Sequence, residues 1–198
     1  MFTGIVREIG TLARVKRISG LIRLTFSAPK TAAILEPMDS VAVNGVCLTV
    51  AASKESEFTV EMIPETQRRT SLPALRPGAR VNLEPSMALT DRFGGHLVFG
   101  HVDDVGSVSR RRQVKGELIL EIAIKKALRR FLVPKGPVTV DGVSLTVGAK
   151  LTAETFSVHL IPETLRRTTL AERIEKDRVN LEIDYFAKLF AQFHARRV

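Results

Sequence analysis

Most of the recognisable segments in this chain of 198 residues are written twice. VNGVCLTV at 43–50 returns as VDGVSLTV at 140–147, and IPETQRRTSL at 63–72 returns as IPETLRRTTL at 161–170. VNLE at 81–84 comes back unchanged at 179–182, so that 18 of 22 positions across the three blocks are identical. Ile9-Gly10-Thr11 and Val105-Gly106-Ser107 extend the register toward the start, displaced by 96 where the later blocks are displaced by 97 and 98. A period of that length is a whole domain and far exceeds a solenoid unit. The chain must therefore fold as two copies of one small domain, expected at 1–97 and 98–185 and followed by a helix at 186–198.

Within each copy the apolar residues alternate or run over four to eight positions, as half-buried strands require. IVREIGTLARVKRI, LIRLTFSA, SVAVNGVCLTVAAS and EFTVEMIP show this in the first copy; VDDVGSVSRR, ELILEIAI, PVTVDGVSLTVGAK and TFSVHLIP match them in the second. Asn44-Gly45 and Asp141-Gly142 are tight-turn dipeptides. Short helices are expected at Pro29–Leu35 and Lys126–Leu132. About six short strands per copy favour an all-β fold of two small closed antiparallel barrels, because closure removes exposed edges. The tail YFAKLFAQFHARRV places Phe186, Leu189, Phe190 and Phe193 on one helical face. That stripe needs a partner, either the barrels or copies of itself.

Charge and composition argue against several function classes. The net charge of +9 is spread along the chain, and with no Trp and one Tyr it lacks the aromatic interleaving a single-strand nucleic-acid binder uses. No apolar run is long enough to span a bilayer, and MFTGIVREIG is unlike a secretory signal. The single cysteine, Cys47, fits a reducing compartment, so a cytoplasmic location is expected. Four histidines and one cysteine show no zinc-ligand spacing, and no metal or cofactor is expected.

The duplication points to paired pockets whose polar groups differ. Cys47 and Ser144 are equivalent positions beside the tight turns, either nucleophiles or hydrogen-bond donors to a ligand, while Thr49 and Thr146 follow on the same strand face. His101 stands where the first copy has Ile5, and is either an acid or base or a structural histidine; His96 reads equally as part of a linker. PETxRRT is either a turn tied by Glu65 or Glu163 to the following arginines, or the end of a segment offering backbone groups to a flat heterocycle. Lys135 is either a surface lysine of a turn or an anchor for an anionic group.

Taken together, MFTGIV, VNGVCLTV, PETQRRT, GGHLVFGHVD, PKG, VDGVSLTV, IPETLRRTTL and VNLEID cover nearly the whole chain and resemble the riboflavin synthase family. The resemblance implies two six-stranded Greek-key barrels, a homotrimer bundled by the C-terminal helix, and association with lumazine synthase. It implies that two molecules of 6,7-dimethyl-8-ribityllumazine exchange a four-carbon unit, giving riboflavin and 5-amino-6-(ribitylamino)uracil without a cofactor. By motif, Gly4, Ile5 and Val6, with Cys47, Leu48 and Thr49 and with Glu61, Met62, Ile63, Pro64, Glu65 and Thr66, are expected in the first pocket. Gly100, His101 and Val102, Lys135, Ser144, Leu145 and Thr146, and His159, Leu160, Ile161, Pro162, Glu163 and Thr164 are expected in the second. Phe2 and Ser40 are implied beside the first site and Asp184 in the second, with His101 moving protons and Ser144 and Thr146 orienting the ring. Whether water, Cys47 or a hydroxyl adds to the ring stays open. Phe99 departs from the polar residue usual in the family. Two other readings are a non-catalytic lumazine- or flavin-binding antenna protein of the same fold, and a pair of nucleic-acid-binding barrels.

Overall fold

The computed structural model describes residues 1–114 and 116–195. Alternating burial lays down six strands per copy: β1 (Glu8–Ile18), β2 (Leu21–Ser27), β3 (Ser40–Val43), β4 (Val46–Lys54), β5 (Glu57–Met62) and β6 (Arg80–Pro85). The second set is β7 (Asp104–Val114), β8 (Glu117–Ala123), β9 (Pro137–Val140), β10 (Val143–Leu151), β11 (Thr155–Leu160) and β12 (Arg178–Ile183). Each set closes antiparallel, in the orders β1-β2-β5-β4-β3-β6 and β10-β11-β8-β7-β12-β9. Leu24, Phe26, Val41, Phe58, Val60 and Leu83 fill the first barrel, and Leu120, Ile122, Val138, Phe156, Val158 and Leu181 fill the second.

The expected helix at Pro29–Leu35 is the shorter α1 (Pro29–Ala32), and the one at Lys126–Leu132 is a 3-10 helix over Lys126–Phe131. Both copies of PETxRRT are helical, as α2 (Pro64–Arg69) and α3 (Pro162–Arg167), where a turn was one expectation. The physical reasons are local: Pro fits the first helical position, Glu65 and Glu163 lie at the positive end of the helix dipole, and each pairs with arginines three and four residues on. The last helix, α4, runs Tyr185–Ala195, and positions 196–198 of the expected helix lie outside the described residues. Its Phe186, Phe190 and Phe193 are 50%, 71% and 57% exposed, while Lys188 ties it to Asp103 at 2.9 Å. Among the described residues no helix is long and apolar enough to cross a membrane.

The barrels meet back to back at their two tight turns. Asn44-Gly45 and Asp141-Gly142 all have positive φ, between 44° and 77°, as primed hairpin turns require. A Cβ on Gly45 would lie 2.6 Å from the Gly142 nitrogen, so the contact needs glycine on both sides. The asparagines of the two VNLE blocks lock it. Asn82 donates to the Asp141 carbonyl at 2.9 Å and accepts from the Thr169 amide at 2.8 Å; Asn180 donates to Asn44 and accepts from Ser71 at 2.9 and 2.7 Å. Thus Asn44 and Asp141 form turns, as their spacing to glycine predicts, and also offer the carbonyls that join the copies.

Candidate active site

Two clefts lie against equivalent hairpins, and the chain crosses over to complete both. At β4 the Cys47 amide donates to the Gly100 carbonyl at 2.9 Å; at β10 the Ser144 amide donates to the Gly4 carbonyl at 2.8 Å. Gly4 and Gly100 both have φ +74°, and a Cβ on either would lie 2.6 Å from the Cβ of its partner. The segment that opens each copy therefore belongs to the other barrel's cleft. This corrects the expected grouping, in which Gly4, Ile5 and Val6 accompany Cys47. The cause is a crossing of the two opening segments at the contact: Phe2 bridges Val98, and Phe2, Ala42, Val98 and Cys47 form a small apolar cluster there.

The first cleft, about 420 Å³, is lined by Val46, Cys47, Glu65, Thr66, Arg69 and Thr70 of the first barrel and by Gly100, His101, Val102 and Asp103 of the crossing segment. The second, about 200 Å³, is lined by Val143, Ser144, Ile161, Glu163, Thr164, Arg167 and Thr168 with Gly4, Ile5 and Val6. Both open to solvent. Leu48, Met62, Leu145 and Leu160 point into the barrel cores and can offer a ligand only backbone. Ile63 and Ile161 are exposed, and Pro64 and Pro162 begin their helices.

Other expected residues line neither cleft of the single chain. Thr49 and Thr146 face outward further along the same strands, and Ser40 pairs with Thr49 across β3–β4. Lys135 sits exposed in a turn at φ +67°. Glu61 is engaged by Arg23 at 2.5 Å, and His159 by Glu117 at 3.0 Å. Asp184 accepts the Phe186 amide at 2.8 Å and so caps α4. His101 lies in an irregular segment ahead of β7 rather than at a strand start, its ring 6.0 Å from that of Phe99, which in turn lies 5.0 Å from Tyr185. Phe99 thus ties the His101 loop to the start of α4.

Two carboxylates hold the crossing segments. Glu84 accepts from the Thr3 amide (2.7 Å), the Thr3 hydroxyl (2.8 Å) and the Gly4 amide (3.0 Å); Glu182 accepts from the Phe99 and Gly100 amides at 2.8 and 2.9 Å. Burial pushes both carboxyls up, against the pull of these donors. Neither glutamate was a candidate from sequence; the signal available was VNLE itself, an Asn and a Glu repeated unchanged in strands whose side chains are buried. His96, which reads from sequence equally as part of a linker, was assigned to neither expected pocket. Its Nδ1 lies 2.7 Å from the Ser144 hydroxyl and its Nε2 lies 3.2 Å from that of Thr139, while burial pushes its pKa down and Asp184 pulls it up more weakly. Among the described residues no group of His, Cys, Asp and Glu side chains is arranged to hold a metal ion.

A lumazine binding domain model matches residues 3–86 and again 99–184, one match per barrel. The chain is 40% identical over 193 residues to the riboflavin synthase of Bacillus subtilis, covering 98% of this chain and 89% of that one. To the riboflavin synthase of Mycobacterium bovis it is 44% identical over 192 residues, with 95% of each chain covered. Its fold superposes on LumP complexed with riboflavin at a TM-score of 0.84, with 23% identity, covering 92% of this chain and 99% of that one. LumP complexed with 6,7-dimethyl-8-(1'-D-ribityl) lumazine gives 0.83. With two lumazine binding domains in tandem and such identity along nearly its full length, the chain belongs to the riboflavin synthase family.

Proposed function

We propose that the chain is an enzyme that converts two molecules of 6,7-dimethyl-8-ribityllumazine into one riboflavin and one 5-amino-6-(ribitylamino)uracil by transfer of a four-carbon unit. The observation that carries this reading is the pair of equivalent, differently furnished clefts, each completed by the other copy's opening segment. Donor and acceptor are the same compound, so two related pockets suit a reaction between two identical molecules. Holding them face to face replaces a bimolecular encounter by a positioned one, worth up to about 7–11 kcal/mol of barrier. In the proposed mechanism the lumazine ring stabilises the carbanion formed at its 7-methyl group. The chain's residues orient the rings and move protons, with His101 beside the first cleft as the proton-transfer group and Cys47 and Ser144 as polar contacts.

The productive pair forms between the first cleft of one subunit and the second cleft of another in a homotrimer. Support comes from the openness of both clefts and from the exposed phenylalanines of α4, which supply an apolar stripe for a three-helix contact. Thr146, Lys135 and Asp184 are proposed to approach ligand only in that assembly, and Thr49 and Ser40 likewise at the first cleft. The enzyme is proposed to work in the cytoplasm and to associate with lumazine synthase.

The likeness of the fold to LumP favours one alternative, a lumazine-binding protein without turnover. Incubation with 6,7-dimethyl-8-ribityllumazine, followed by riboflavin absorbance, separates the two. Continuous riboflavin formation beyond one equivalent per chain is expected; stable binding without product would overturn the enzymatic reading.

A further inference from the structure

Behind Ser144 of the second cleft runs a hydrogen-bonded chain that, among the described residues, the first cleft has no counterpart for. Thr139, Ser144 and the intervening His96 belong to it; in the first barrel Thr139 and Ser144 are replaced by Ala42 and Cys47, which pack with Phe2 and Val98. The chain is built in, because Gly95 has no room for a side chain. A Cβ there would lie 2.0 Å from the Thr3 carbonyl oxygen and 3.0 Å from the Ser144 hydroxyl. The His96 amide also donates to that Thr3 carbonyl at 3.1 Å. The crossing segment thus fixes where the imidazole sits.

We infer that His96 is a positioning residue that turns the Ser144 hydroxyl into a hydrogen-bond donor aimed at the acceptor edge of a heterocycle in the second cleft. The Thr139 residue is 1% exposed, and among the described residues its hydroxyl has one side-chain partner, the His96 Nε2 at 3.2 Å. A buried hydroxyl that merely accepted there would leave its own proton unpaired, at a cost that folded proteins seldom bear. Thr139 therefore donates, and Nε2 carries no proton. A neutral imidazole then carries its proton on Nδ1, and the Nδ1–H donates to the Ser144 oxygen at 2.7 Å. The Ser144 proton is directed away from the imidazole toward the cleft, where a carbonyl oxygen or imine nitrogen of the ring can accept it. Cys47 at the equivalent place has only a weak S–H donor and, among the described residues, no such orienting group. The two clefts thereby present different polar edges to the same compound.

The ligand class rests on the proposed function, but the tautomer does not, so the test has two arms. In the first, imidazole 15N shifts of the intact protein are expected to show His96 as the Nδ1–H tautomer; an Nε2–H tautomer overturns the inference whatever the enzyme does. In the second, turnover is compared for His96→Ala, His96→Asn and His96→Gln, with thermal unfolding confirming folded protein. The Asn amide nitrogen takes the place of Nδ1 and still donates to Ser144, whereas the Gln amide reaches toward Thr139. We expect His96→Ala and His96→Gln to lose about tenfold in kcat/KM, the size of one hydrogen bond's misdirection, and His96→Asn to stay within about threefold. In a Ser144→Ala background His96→Ala should add less than about twofold. Equal effects of Asn and Gln, or independent multiplication with Ser144→Ala, would overturn the inference, and the Asn–Gln contrast survives should the Ala variant fail to fold. Should the unaltered protein form no riboflavin, the proposed function fails and the tautomer arm alone decides this inference.

Discussion

Replacing Arg173 by Leu should unfold the protein far more readily than a partly exposed arginine would suggest. The Asp141 side chain is fully buried and Arg173 is 20% exposed, with Nη2 2.7 Å and Nε 3.1 Å from the same carboxylate oxygen. The other oxygen accepts the Asn180 amide at 2.8 Å. Burial pushes the Asp141 carboxyl up, with Arg173 pulling against it, so the pair survives because the guanidinium is there. Taking away one partner of a buried ion pair costs about 3–5 kcal/mol. For a chain of this size that is roughly 6–20 °C in melting temperature. The first copy indicates the rescue. There Asn44 accepts the Asn82 amide at 2.7 Å, and Leu75, at the place of Arg173, packs on the first core. Asp141→Asn combined with Arg173→Leu rewrites the second copy as the first and should recover all but about 1 kcal/mol, the remainder being an amide nitrogen without a partner, as Asn44 already has. Urea unfolding at about pH 7.5 reads both values. The single variant should also regain stability as pH falls, since a stranded carboxyl with a raised pKa favours folding once protonated. A single-variant loss below about 1 kcal/mol, or a double variant no better than the single, would refute the reasoning.

Four further expectations can be checked together. Glu84→Ala should free the segment bearing Thr3 and Gly4, and Glu182→Ala that bearing Phe99 and Gly100, each at about 2–4 kcal/mol; faster amide exchange confined to the matching segment is the readout, and exchange in the other segment would count against the crossover. Because burial depresses the folded-state pKa of His96, its contribution is present above its unfolded value of about 6.5 and is lost as pH falls through the folded one. The stability gap between wild type and His96→Asn should therefore narrow from about pH 7.5 to about pH 5; a constant gap would contradict a neutral buried imidazole. His101→Ala should lower kcat by at least about tenfold with ligand affinity little changed, and equal losses in both would exclude a proton-transfer role. Deleting the chain from Phe186 onward should shift sedimentation from the proposed trimer to monomer, and an assembly unchanged by the deletion would place the contact elsewhere.

Much of the architecture was legible because it depends on short-range pattern. Period-two alternation marked the strands, Asn-Gly and Asp-Gly marked the hairpins, and the repeat required whatever one half formed to appear again. The two PETxRRT helices are six residues each, too short to show a 3.6-residue apolar period, though proline at the first position and the Glu–Arg spacing carried a helical signal. The crossing of Gly4 to Ser144 and of Gly100 to Cys47 was not legible. It depends on contacts between residues 140 and 53 positions apart, and an irregular segment has the same local pattern whichever barrel it lies against. His96 was hidden for the same reason, since its two hydroxyl partners lie in strands more than 40 residues away.

The mole ratio of lumazine consumed to riboflavin formed, followed to completion at neutral pH with the pyrimidine product measured alongside, goes straight to the two-cleft mechanism. Two lumazines should disappear for each riboflavin, with one pyrimidine released. One lumazine consumed per riboflavin, or bound lumazine left unconverted, would contradict it.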